Sequence, residues 1–101
     1  LKCKYVIHAV GPNLSRPKAT LNELKAAYTS AIAEAYMYDV NNIAFPIISG
    51  GVFRGDYSLQ TMINKAFDAL IGNEKDIKEI VFYGFTDEEV KKLIIRLSKE
   101  Q

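Results

Sequence analysis

Hydrophobic and polar positions divide this chain into six segments. Tyr5-Val6-Ile7-His8-Ala9-Val10 is rich in β-branched and aromatic residues and is stopped by Gly11-Pro12-Asn13. This pattern predicts a buried strand at about 4–10. Thr20 and Glu23 then form a T-x-x-E capping box ahead of Leu21, Leu24, Tyr28, Ala31, Ile32 and Ala35. Those positions recur at helical spacing and predict a helix over about 20–38, closed by residues 39–42. Ile43-Ala44-Phe45-Pro46-Ile47-Ile48 reads as a second buried strand. Pro46 lacks an N–H and belongs near a strand end or an interruption of the ladder. Leu59, Met62, Ile63, Ala66, Phe67, Leu70 and Ile71 make a clear apolar stripe before Gly72-Asn73. The stripe predicts a helix over about 57–71 with a glycine stop. Ile80-Val81-Phe82-Tyr83-Gly84-Phe85 is a continuous apolar run, expected to be a strand buried on both faces. A second box, Thr86 with Glu89, opens a final helix in which Val90, Leu93, Ile94 and Leu97 are expected to face inwards.

The order is βαβαβα. Such alternation implies an α/β domain with mainly parallel strands, crossover connections and covering helices. In sheets of this kind ligands bind beyond the carboxyl ends of the strands. That rule puts Gly11–Asn13, Ser49–Gly55 and Phe85–Asp87 at one end of the molecule.

The stretch at this end with the most chemistry is Ser49-Gly50-Gly51-Val52-Phe53-Arg54-Gly55, with a helix expected to start near Asp56 to Ser58. Three glycines, Gly50, Gly51 and Gly55, let the main chain come close to a ligand. Free N–H groups ahead of a helix favour an anion, and phosphate is the natural candidate. The same pattern also describes an unoccupied βα turn. Phe53 and Arg54, an aromatic and a guanidinium on a turn, favour the ligand. The loop lacks both G-x-x-x-x-G-K-[ST] and G-x-G-x-x-G, which excludes the common nucleotide motifs. Phe85, leaving the last strand, is placed either to stack on a base or to pack in the core.

Composition adds mostly exclusions. The chain has 101 residues, 49% of them apolar, enough for one domain with a core. Thirteen basic against twelve acidic residues give a net charge of +1, which exerts no general pull towards nucleic acid or membrane. Lys91, Lys92, Arg96 and Lys99 complement the dipole of the last helix rather than form a nucleic-acid patch. Cys3 is the only cysteine, which rules out an internal disulfide and a cysteine-rich zinc site and suits an intracellular, cytoplasmic location. His8 is the only histidine and reads as a structural strand residue. No metal site and no cofactor are expected. Ser49 has no G-x-S-x-G elbow and no base to make it a nucleophile. No apolar run approaches the ~20 residues that span a bilayer.

Together these residues resemble a known family. Val6-Ile7-His8-Ala9-Val10-Gly11-Pro12, the helix with Leu24 and Tyr28, and Ile43 to Phe53 are similar to the second half of a macro domain, an ADP-ribose-binding module. The family's usual forms are VIH-x-VGP and FP-x-(I/L)-S-(T/S/A)-G-(I/V)-(Y/F); here Gly50 stands where Thr, Ser or Ala is common. Phe85-Thr86-Asp87-Glu88 resembles a late F-D-D-E-like segment, with Thr86 replacing an acid. The resemblance covers nearly the whole chain and implies a three-layer α-β-α macro-like fold, a single partial domain over 1–101. It implies that Ser49, Gly50, Gly51, Val52, Phe53, Arg54 and Gly55 wrap the diphosphate and distal ribose, Phe53 lying near both, and that Phe85 flanks the adenine. The family's first half, with its N-A-A-N-like strand end, first glycine loop and adenine-reading acid, is expected to be absent. No catalytic residue is therefore assigned, and the isolated chain is expected to be inactive. Binding of ADP-ribose or an ADP-ribosylated protein is the function implied. Removal of ADP-ribose or of its 1″-phosphate, with the missing half supplied elsewhere, and a non-binding relic are the alternatives. The partners implied besides the ligand are a second copy or a complementary N-terminal fragment; neither membrane nor nucleic acid is expected.

Overall fold

The computed structural model describes residues 5–71, 77, 79–84 and 86–99. Helix α1 spans Leu21–Met37. Its capping box forms in full: the Glu23 N–H donates to Thr20 Oγ1 at 3.2 Å and the Thr20 N–H donates to Glu23 Oε1 at 3.0 Å. Asp39 turns left-handed at φ 56° just past the helix end, and the Val40 N–H returns to the Ala35 carbonyl at 2.9 Å. Strand β1 spans Asn42–Pro46, helix α2 Leu59–Leu70, strand β2 Glu79–Tyr83 and helix α3 Asp87–Lys99. β1 and β2 pair in parallel, Phe45 opposite Phe82. This is a mixed α/β architecture with parallel strands.

α1 and α2 lie against one face of the sheet because that face carries the aromatics. Tyr28 of α1 meets Phe45 edge-on at 5.2 Å between ring centroids, and Phe67 of α2 stacks on Phe82 at 5.3 Å. Leu24, Met62, Ile63 and Ala66 fill the space between and are fully buried. α3 joins from the side of α2. Leu93 is buried there, and the Arg96 guanidinium lies over the Phe67 ring while Nη1 donates to Asn64 Oδ1 at 3.0 Å.

Five expectations are corrected. Residues 5–10 join no ladder among the described residues, and Tyr5, Val6, His8 and Val10 are exposed. β-propensity alone does not make a strand; a strand needs a neighbour to take its N–H and C=O groups. The second strand stops at Pro46 rather than Ile48, because Pro46 has no N–H and the Ile48 N–H is taken by Tyr28. β2 is buried on one face only: Glu79, Val81 and Tyr83 are exposed, as are Ala44 and Pro46 beside them. In α3 only Leu93 is buried; Val90, Ile94 and Leu97 are exposed, since α2 is wide enough to cover a single row of the helix. Ile71 also leaves its stripe, being exposed at the end of α2. Gly72-Asn73 and Phe85 lie outside the described residues.

Candidate functional site

The glycine loop leaves the carboxyl end of β1. Ile47 and Ile48 remain buried, anchoring the exit in the core. The Ile48 N–H donates to the Tyr28 hydroxyl at 2.8 Å, a buried bond across twenty residues of sequence. Burial pushes that hydroxyl well above the usual tyrosine range, and the bond from Ile48 only partly offsets the shift, so it stays protonated. Ser49 then adopts φ 57°, an uncommon conformation for a residue with a side chain. Its Oγ donates to the Pro12 carbonyl at 2.7 Å, which holds the turn in place. That bond also occupies the hydroxyl proton.

Val52–Arg54 wind into one 3-10 turn, closed by the Arg54 N–H on the Gly51 carbonyl at 3.1 Å. The amides of Gly51, Val52 and Phe53 precede that bond and have no backbone partner among the described residues. Three consecutive unpartnered N–H groups at the start of a turn are donors free to meet an anion. The side chains of Val52 and Phe53 are exposed and Arg54 is half-buried.

A second segment supports the loop from beneath. The Leu14 N–H donates to the Phe53 carbonyl at 2.7 Å. Gly55, at φ 65°, sits so close to Leu14 that a Cβ would lie 2.5 Å from its carbonyl oxygen. Gly11 is equally committed: a Cβ there would run into the Ile48 and Ser49 side chains. Residues 11–14 and 49–55 are thus zipped together at one end of the molecule, as expected from the sequence. α2 follows with Ser58 as N-cap, its Oγ accepting the Thr61 N–H at 3.1 Å.

Seven of the eight sequence-predicted site residues, Ser49 to Gly55, form one braced segment, exposed at Gly51, Val52, Phe53 and Gly55 and buried at Gly50; Phe85 lies outside the described residues. His8 is exposed rather than held in a strand. It lines a groove between residues 5–12 and α1; a second groove runs between residues 5–9 and β1. Residues 49–55 line neither groove. Among the described residues no cluster of His, Cys, Asp or Glu could hold a metal ion, and no helix is long and apolar enough to cross a membrane. Sequence reasoning placed Pro12 at this end but did not foresee the supporting bonds from Pro12, Leu14 and Tyr28. Tyr28 was legible only as a core position of an amphipathic helix.

Residues 1–63 match the family model described as Macro domain. A macro domain-containing protein of Caldanaerobacter subterraneus subsp. tengcongensis is 39% identical over 90 residues, which cover 86% of this chain and 50% of that protein. A protein of Staphylococcus aureus (strain COL) named protein-ADP-ribose hydrolase is 30% identical over 96 residues, covering 90% of this chain and 36% of that one. A Semliki forest virus polyprotein is 36% identical over 75 residues, 71% of this chain and 3% of the polyprotein. The chain spans half or less of the length of each of these relatives.

Proposed function

The chain belongs to the macro-domain family, and from that premise we propose that it binds ADP-ribose or an ADP-ribose derivative, free or carried on a protein, through the loop 49–55. The observation that carries this reading is the row of unpartnered amides at Gly51, Val52 and Phe53, held in a braced turn at the carboxyl end of a strand. A diphosphate supplies the acceptors those amides lack. Phe53, exposed beside them, offers a face to the distal ribose, and Arg54 adds a positive charge to the same turn. Phe85 flanks the adenine. The chain works as part of a larger or reassembled unit, joined either by a second copy or by a complementary fragment that completes the cleft.

Binding is preferred to hydrolysis because the loop has no positioned base. The Ser49 hydroxyl is engaged with Pro12, His8 lines a groove that residues 49–55 do not, and Asp56 is the carboxylate that follows the loop in sequence. The hydrolase reading draws on the name of the Staphylococcus aureus relative and requires residues from another chain.

Titration calorimetry with ADP-ribose tests the proposal. Wild-type chain should bind, and Gly51→Glu should not, since it places bulk and like charge among the amides. A Cβ on Gly51 meets nothing within 4 Å, so the fold should persist by circular dichroism. Unchanged affinity in a folded Gly51→Glu would sink the loop assignment. A turnover assay on an ADP-ribosylated protein should show nothing above background; turnover that vanishes in Asp56→Ala would favour the enzyme instead.

A further inference from the structure

We propose that Tyr28 is a positioning residue for the glycine-rich loop, its hydroxyl fixing where the chain leaves β1. The proposal rests on the reading of 49–55 as the binding loop, and it concerns what gives that loop its shape. β1 ends at Pro46, so Ile48 has no ladder partner, yet it is buried. A buried N–H without an acceptor is costly, and such groups are seldom left unpaired. The acceptor here comes from the middle of α1, the Tyr28 hydroxyl at 2.8 Å.

Tyr28 is well suited to set a position rather than follow one. It is completely buried, with Phe45 and Phe82 at 5.2 and 6.2 Å from its ring. Complete burial against these two rings of the sheet face restrains the side chain and so holds the hydroxyl in place. The next residue, Ser49, is the left-handed turn that aims the loop, and it is tied separately to Pro12. Consecutive residues are thus pinned to two different parts of the fold. Losing the first tie frees the hinge on which Gly50 to Gly55 hang, although Tyr28 itself touches none of them.

Tyr28→Phe keeps the ring and removes the acceptor. The experiment compares it with Leu93→Ala, which loosens α3 against α2 away from the loop. Amide exchange and amide chemical shifts of Ile48 and 49–55 are recorded by NMR, and ADP-ribose affinity by calorimetry. In Tyr28→Phe the Ile48 amide should exchange about tenfold faster than the loss of global stability accounts for. The 49–55 resonances should move, and affinity should fall about tenfold. In Leu93→Ala, the loop resonances and affinity should stay as in wild type. Loop resonances and Ile48 exchange unchanged in Tyr28→Phe overturn the proposal. Should that variant fail to fold, the wild-type protein decides: a slowly exchanging Ile48 amide supports the tie, and one that exchanges like an exposed loop amide refutes it. If wild-type protein does not bind ADP-ribose, the binding reading fails while the exchange and shift measurements still judge Tyr28.

Discussion

Gly55→Ala tests the join between the two loops. Gly55 has φ 65° and ψ −135°, a region that residues with a Cβ enter at a cost of about 1–3 kcal/mol. The new Cβ would also lie 2.5 Å from the Leu14 carbonyl oxygen and 2.8 Å from its carbon. Both are backbone atoms, so no side chain can swing aside, and residues 13–15 must withdraw. Withdrawal breaks the 2.7 Å bond from the Leu14 N–H to the Phe53 carbonyl, worth about 0.5–1.5 kcal/mol. The sum is about 1.5–4.5 kcal/mol, set against a typical domain stability of about 5–15 kcal/mol. At about 4–8 °C per kcal/mol for a chain of this size it corresponds to a fall in Tm of roughly 6–36 °C. Urea denaturation followed by circular dichroism measures the loss. Amide exchange locates it, because the Leu14 amide should lose protection beyond the global change. A variant within about 0.5 kcal/mol of wild type, with Leu14 still protected, would show that the 11–14 segment does not brace the loop.

Three further outcomes can be measured. Leu93→Ala should cost about 2–4 kcal/mol in denaturant, as it empties the one buried position of α3, whereas Ile94→Ala, exposed, should cost under about 1 kcal/mol; equal losses would mean that α3 is covered on both rows. Phe85→Ala should weaken ADP-ribose by about 1–3 kcal/mol and leave ribose-5-phosphate, which has no base, unaffected; equal losses by calorimetry would point to packing rather than stacking. The chain should run as a dimer or larger species on light scattering, or co-purify with a complementary piece, and a clean monomer at micromolar concentration with sharp amide signals throughout would refute this.

What could be read from the sequence was what is decided locally. The Thr20–Glu23 box fixes the start of α1 through bonds three residues apart, and the stripe of α2 needs only its own periodicity. The turn after β1 was legible because Gly50, Gly51 and Gly55 fall close together in the sequence. What was not legible depends on partners. The composition of Tyr5–Val10 states a preference for strand, but pairing is decided by whether a neighbour is present. Val90, Ile94 and Leu97 announce an apolar face without saying whether this chain covers it. Tyr28 shows the same limit at the site: helical spacing puts its ring in the core and is silent about the hydroxyl, whose partner lies twenty residues away.

The loop and the sheet differ in how complete they are, and the difference has a consequence. The hydrogen bonds that tie residues 48–55 to other parts of the described chain come from Tyr28 in α1 and from Pro12 and Leu14 in the segment below. None of these ties involves the exposed sheet face at Ala44, Pro46, Val81 and Tyr83. A donor set that is already formed loses little entropy when it meets an anion, and preorganisation of that kind governs affinity more than contact area does. An uncovered apolar sheet face, by contrast, drives association whatever the loop is doing. On the proposed reading, diphosphate recognition and self-association are therefore separable. A charge placed on the sheet face, Val81→Lys, should shift the species seen by light scattering towards monomer and leave the 49–55 amide shifts unchanged. Movement of the loop resonances on dissociation would mean instead that the neighbouring copy, and not Tyr28, Pro12 and Leu14, gives the loop its form.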